Sequence, residues 1–170
     1  VQPVFAREPE EVQGQGVDEY FLEGQRIRGI IIAASYEAKR TYGIKTGMSI
    51  REALGRCPHL VVLPPNHLLY HQISHEIQRY LAQQCALIEA YSIDELFLDY
   101  FGMLEGLDQV VAECERLQKE IVWEFGIPYS FGVSDASKWA AKLVSDDAKP
   151  FGIKVVPQRE WREYIEHKPI

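Results

Sequence analysis

Tyr91-Ser92-Ile93-Asp94-Glu95-Leu96-Phe97-Leu98-Asp99 sets two adjacent carboxylates between two apolar runs, and its reading decides the fold. Leu87-Ile88 opens a strand-like run before it. After it, Leu96, Leu98 and Tyr100 alternate with Glu95, Phe97 and Asp99, a period of two. Neighbours on a strand point to opposite faces, so Asp94 and Glu95 converge on one point only where the backbone bends. The pattern predicts a hairpin with its bend near Asp94 and with Leu96 and Leu98 turned toward a core. Two carboxylates on a rigid bend, with Asp99 on the Glu95 face, repel each other without a cation. A hard divalent ion with oxygen ligands is the natural partner. An acidic hairpin tip in water accounts for the same residues, and the segment alone leaves both readings open.

Upstream of the hairpin a long helix opens at Asn66, with Leu69, Tyr70, Ile73, Ile77, Tyr80 and Leu81 on one stripe. His67, His71 and His75 fall four apart on it, which suits a metal but equally a polar helix face. Downstream, a helix over about 107–125 carries Val110, Cys114, Leu117 and Ile121 inward and ends at Gly126. Residues 127–133 read as a strand, and 136–148 as a helix with Trp139, Ala140 and Leu143 inward. Residues 152–156 read as a strand and 158–166 as the start of a further helix. With Leu60-Val61-Val62-Leu63 as a strand, the order from residue 60 is strand, helix, hairpin, helix, strand, helix, strand. This is an α+β layout, close to the ferredoxin-like split βαβ arrangement, with helices on one face of the sheet. The other face, carrying Glu95, Phe97 and Asp99, is then open, and carboxylates there fit two-metal phosphoryl chemistry. Lys149, at the end of the third long helix, either complements its dipole or reaches a triphosphate.

Toward the N-terminus, residues 1–5 read as the end of a strand, 6–27 as a polar loop or insertion, and 28–34 as a buried strand. Ser35 is the expected N-cap of a short helix that starts at Tyr36 and ends at Gly43. Tyr36, Lys39 and Arg40 share one face of it. A ring and two cations beside the amides of a helix start suit a sugar and its phosphates; a solvated surface helix accounts for them as well. Ser49 is expected to cap a second short helix over 50–56, with Ile50, Ala53 and Leu54 inward.

The chain has 170 residues, 46% of them hydrophobic, so a packed core is expected. Its net charge of -7 counts against a free-standing surface for DNA or membrane. Cys57, Cys85 and Cys114 form no CxxC and read as reduced, buried thiols of a cytoplasmic protein. No apolar stretch approaches a membrane span and no signal peptide opens the chain, so no membrane partner is expected. The first residue is Val, which suggests a cut N-terminus.

Taken together, several motifs are specific. Ser92-Ile93-Asp94-Glu95 followed by Leu-Phe-Leu-Asp resembles the acidic signature of the Y-family translesion DNA polymerases. Ala34-Ser35-Tyr36-Glu37-Ala38-Lys39 resembles their nucleotide-contacting segment. Gly43-Ile44-Lys45-Thr46-Gly47-Met48, Cys57-Pro58-His59-Leu60, Phe131-Gly132-Val133-Ser134, Ala140-Ala141-Lys142-Leu143 and Asp147-Ala148-Lys149-Pro150-Phe151-Gly152 continue the match in order, from about residue 28 to 156. The resemblance is greatest to bacterial enzymes of the DNA polymerase IV type.

The resemblance implies a polymerase palm over 66–157, a fingers-like subdomain over 1–65 with the insertion at 6–27, and the start of a connection to the thumb at 158–170. It implies that Asp94 and Glu95 bind two Mg²⁺ ions, Asp94 shared between them and Glu95 on the ion beside the primer 3′-hydroxyl. Tyr36, a basic residue one turn on and Lys149 would contact the incoming deoxynucleoside triphosphate. The chain has one residue more than the family between Tyr36 and Gly43, so the basic role falls to Lys39 or Arg40, with Lys39 favoured by direct count. The implied partners are primer-template DNA and, through regions absent here, a sliding clamp. The implied reaction is template-directed nucleotidyl transfer across damaged DNA, in an open site that checks base-pair shape poorly. The family's N-terminal strand with a further metal-binding Asp, its thumb and its little finger have no counterpart here. That accounts for the acidic charge and predicts that residues 1–170 alone do not polymerise. Two other readings stay open: a non-catalytic polymerase-like binding module, and another palm-type enzyme such as a nucleotide cyclase, which the Tyr36 segment and Lys149-Pro150 do not suit.

Overall fold

In the computed structural model, Ser35 Oγ accepts a hydrogen bond from the Ala38 N–H at 3.2 Å and starts helix α1 (Tyr36–Tyr42). Gly43, at φ 64°, ends it in the left-handed conformation that glycine adopts freely. Ser49 Oγ accepts from the Glu52 N–H at 3.1 Å and starts α2 (Ile50–Arg56). Both caps and both helices stand where the sequence places them. The described residues are 29–85 and 87–168, and they divide between two units, 29–65 and 66–168. The expectations for residues 1–5 and 6–27, and for Arg28, lie outside the described residues.

The first unit closes around Ile31, Ala38, Ile44, Met48, Ala53 and Cys57. Two strand expectations fail in it. Among the described residues of the 28–34 run, only Ile30 forms a bridge, to Ser49. The run meets the 47–50 backbone only around Ile31, which donates to Met48 O and accepts from the Gly47 amide, both at 2.8 Å; Ile30 and Ile32 are exposed rather than buried. Residues 60–63 are likewise not a strand. Leu60 packs on the core but Val61 and Leu63 are exposed. The following Pro64-Pro65 pair supplies no N–H to a ladder.

The second unit is built on two long helices and a hairpin. Asn66 Oδ1 accepts from the Leu69 N–H at 3.0 Å and starts α3 (His67–Leu81). Its apolar stripe is buried only in its later half, at Ile77 and Leu81; Leu69 and Tyr70 in the first turn are exposed, contrary to expectation. The hairpin strands β1 (Leu87–Ala90) and β2 (Leu96–Asp99) pair antiparallel, from Leu87 opposite Asp99 to Ala90 opposite Leu96. Helix α4 (Leu107–Phe125) follows, with Cys114, Leu117 and Ile121 buried, and ends at Gly126, φ 68°. Ile77, Leu81, Cys85, Tyr100, Leu117 and Ile121 form the core, and Leu96 and Leu98 pack on it as the alternation predicts. Truncating one of its leucines or isoleucines to alanine typically costs about 2–5 kcal/mol, so these residues anchor the hairpin firmly. The three cysteines are buried and unpaired.

Strands β3 (Phe131–Val133) and β4 (Ile153–Val155) pair in parallel, joined by helix α5 (Lys138–Asp147) as a βαβ unit. Among the described residues the strands form two pairs, β1–β2 and β3–β4, rather than the one sheet expected. β3 and β4 are three residues each and pair with each other, and β1 and β2 likewise pair only with each other. The open sheet face is also corrected. Trp139, expected inward, is 54% exposed, and Ala140 and Val144 carry the core side of α5. The Trp139 ring meets Tyr91 and Phe97 edge-on at 5.5 and 5.8 Å, and Lys138 Nζ lies 2.7 Å from Glu89. The Phe97 side of the hairpin therefore faces the start of α5.

Helix α6 (Gln158–Glu166) is tied back by Asp147. That carboxylate pairs with Lys168, takes Lys154 Nζ at 2.9 Å and accepts the Tyr164 hydroxyl at 2.7 Å. These bonds, with Lys168 the largest, hold the Asp147 carboxyl well below its ordinary value of 3.8. A carboxyl whose folded pKa is lowered contributes stability above its unfolded pKa and loses it as pH falls toward the folded one. Asp147→Asn is therefore expected to lower Tm at pH 7. The gap from wild type should narrow steadily below about pH 4, as thermal melts across that range will show.

Candidate metal and nucleotide site

The Tyr91 and Ser92 amides both donate to Glu95 O, at 2.9 and 3.1 Å, and close the turn at the hairpin tip. Asp94 sits on that turn, where the bend is expected, and is exposed. Ser92 Oγ donates to Asp94 Oδ1 at 2.8 Å and fixes the carboxylate. The charge of Asp94 is felt at Tyr129, whose phenol is pushed up first by burial and then by Asp94. Glu95, the next residue, is about two-thirds buried, and its Oε1 lies 2.7 Å from Lys142 Nζ on α5.

Lys142 is not among the candidate residues that the sequence marks. Its position four residues before Asp146 on α5 was the available signal. Its Nζ lies 3.3 Å from Asp146 Oδ2 and 3.4 Å from Oδ1, and Lys149 Nζ takes Asp146 Oδ1 at 2.7 Å. The bond to Glu95 above all holds the Lys142 ammonium above its ordinary pKa. Lys149, then Lys142, lowers the Asp146 carboxyl, with burial opposing. The result is a continuous alternation of charge, Glu95–Lys142–Asp146–Lys149. It joins the acidic hairpin to the predicted phosphate-binding lysine.

Asp99 does not join this group: its Oδ1 accepts from the Phe101 N–H at 2.9 Å and serves the next turn. Tyr36, Lys39 and Arg40 belong to the first unit. Lys39 Nζ lies 5.4 Å from the centre of the Tyr36 ring, so the predicted ring-and-cation face exists; Arg40 is exposed beside it. His67 stands edge-on to Tyr70 at 6.0 Å. Among the described residues no three His, Cys, Asp or Glu side chains gather as a metal site. The tip offers two carboxylates, one already matched to a cation by Lys142. The two carboxylates supply hard oxygen donors of the kind that suit a hard divalent ion. Among the described residues no helix is long and apolar enough to cross a membrane.

A family profile described as impB/mucB/samB matches residues 12–146. A DNA polymerase IV of Moorella thermoacetica is 44% identical over 138 residues, covering 78% of this chain and 34% of that protein. A DNA polymerase IV of Halorhodospira halophila is 36% identical over 161 residues, covering 90% and 45%. Among solved structures, DinB from Sulfolobus solfataricus matches with a TM-score of 0.74 at 29% identity, over 81% of this chain and 40% of that one. An insertion ternary complex of Dbh DNA polymerase matches with a TM-score of 0.79 at 28% identity, over 87% and 43%. The chain thus spans from a third to just under half the length of these relatives. The profile covers the hairpin tip, Lys142 and most of both units, and the chain belongs to the impB/mucB/samB family, that is, to the Y-family of DNA polymerases.

Proposed function

We propose that this chain is part of an enzyme of translesion DNA synthesis that adds nucleotides to a primer under the direction of a template. The observation that carries the reading is the carboxylate pair at the hairpin tip, with Glu95 matched by an ammonium at 2.7 Å. The likeness to the Dbh insertion ternary complex supports it. Residues 66–157 then correspond to the palm, 1–65 to a fingers-like subdomain and 158–170 to the start of the connection to the thumb.

Asp94 and Glu95 would be the residues of this chain that hold the Mg²⁺ ions. When bound, such ions ease deprotonation of the attacking 3′-hydroxyl and offset the charge of the leaving group. The chain's own residues do the rest. Ser92 orients the Asp94 carboxylate, and the turn amides hold Glu95 beside it. Lys149 and one of Lys39 or Arg40 bind the phosphates of the incoming triphosphate through charge-assisted bonds, and Tyr36 packs against its sugar. Primer-template DNA is the other substrate. The test is primer extension by the full gene product on a template carrying an abasic site. The expected result is extension past the lesion that depends on Mg²⁺ and stops with chelator. Binding of primed DNA with no extension in Mg²⁺ or Mn²⁺ would instead establish a non-catalytic module.

A further inference from the structure

Lys142 occupies an unusual place for an ammonium. It lies on α5, yet its shortest ionic contact is with Glu95 of the hairpin turn, at 2.7 Å. Its contacts to Asp146 on its own helix are longer, 3.3 and 3.4 Å. Its side chain is 24% exposed, against 49% for Lys149. Pairs three and four apart on one exposed helix are weak and common; a bond that bridges two elements onto a proposed metal ligand is a different matter.

We propose that Lys142 is a built-in counter-ion that holds Glu95 until a divalent cation takes it, and that its shift to Asp146 then frees Lys149 for the triphosphate. The inference rests on the metal-binding reading of Asp94 and Glu95. A dication on Glu95 repels the neighbouring ammonium, and that repulsion is largest at contact distance. Lys142 has a second acceptor already within reach, because Asp146 needs to be approached by well under an ångström to make a full bond. Asp146 is at present held by Lys149 at 2.7 Å. A closer Lys142 satisfies part of its charge and loosens that bond. Metal loading and the availability of Lys149 are thereby coupled through one carboxylate. Lys142 is in this account a positioning residue, since it acts through Glu95 and Asp146.

The test uses the chain itself with Mn²⁺ alone, its affinity read by electron paramagnetic resonance. Lys142→Met removes the competing charge and keeps most of the side-chain volume, and it should bind Mn²⁺ about tenfold more tightly than wild type. Lys142→Gln should behave alike, and circular dichroism identifies any variant that fails to fold. In a parallel Mg²⁺ titration, the side-chain resonances of Lys149 should shift in wild type and stay still in Asp146→Asn. Mn²⁺ affinity within twofold of wild type in the folded Lys142 variants, or an unmoved Lys149 signal in wild type, would overturn the coupling and leave the metal site standing. No Mn²⁺ binding by wild type or by either variant would overturn both.

Discussion

Asp94→Asn is expected to remove the proposed Mg²⁺-dependent nucleotide addition by the full gene product, lowering the single-turnover rate by about a thousandfold or more. Asp94 is exposed on the turn and its carboxylate is held by Ser92 Oγ at 2.8 Å. Asparagine keeps the size and an oxygen for that bond, so the turn survives and only the negative charge is lost. The unchanged fold is checked by the thermal midpoint, which should stay within a degree or two of wild type, as ordinary for an exposed substitution. A variant within tenfold of the wild-type rate would remove Asp94 from the proposed machinery.

Gly132→Ala has the largest expected effect on the fold. A Cβ at that position would stand 2.1 Å from Ala141 O, 2.3 Å from Ser145 N and 2.8 Å from Ser145 Cα. These are backbone atoms of α5, and no side-chain rotation relieves them. Either α5 moves off β3 or the strand distorts, at a cost of about 3 kcal/mol or more by urea denaturation, the upper end for overpacking. Since α5 carries Lys142 and Asp146, the same substitution should loosen the Glu95–Lys142 bond in whatever folded protein remains. A loss below about 1 kcal/mol, well short of that overpacking cost, would show that the contact between strand and helix is softer than the structure indicates.

The local rules of the sequence were sufficient where structure is set by near neighbours. Ser35, Ser49 and Asn66 cap the helices that follow them, Gly43 and Gly126 end theirs in the left-handed conformation, and the alternation around Leu96 and Leu98 gives both the hairpin and its buried side. Non-local pairing was less legible. The apolar runs 29–34 and 60–63 have strand composition, but the first meets partner backbone only briefly, at 47–50, and the second forms no ladder; Ile30, Ile32, Val61 and Leu63 are exposed. Trp139 misled for a related reason. Its bulk suggested the core, but small Ala140 and Val144 fill the tight space of α5, and the indole lies over Tyr91 and Phe97 at the surface. The bend that carries Asp94 and Glu95 was readable from the adjacent carboxylates between two apolar runs. Lys142 was not, because its partner Glu95 is remote in sequence and nothing in a helix pattern announces a contact outside the helix.

Anomalous diffraction from Mn²⁺-soaked crystals of the chain tests the central claim most directly. The account predicts a peak at the hairpin tip within about 2.2 Å of carboxylate oxygens of both Asp94 and Glu95, with Lys142 Nζ displaced toward Asp146. No peak at the tip at millimolar Mn²⁺, with Lys142 still bonded to Glu95, would contradict it.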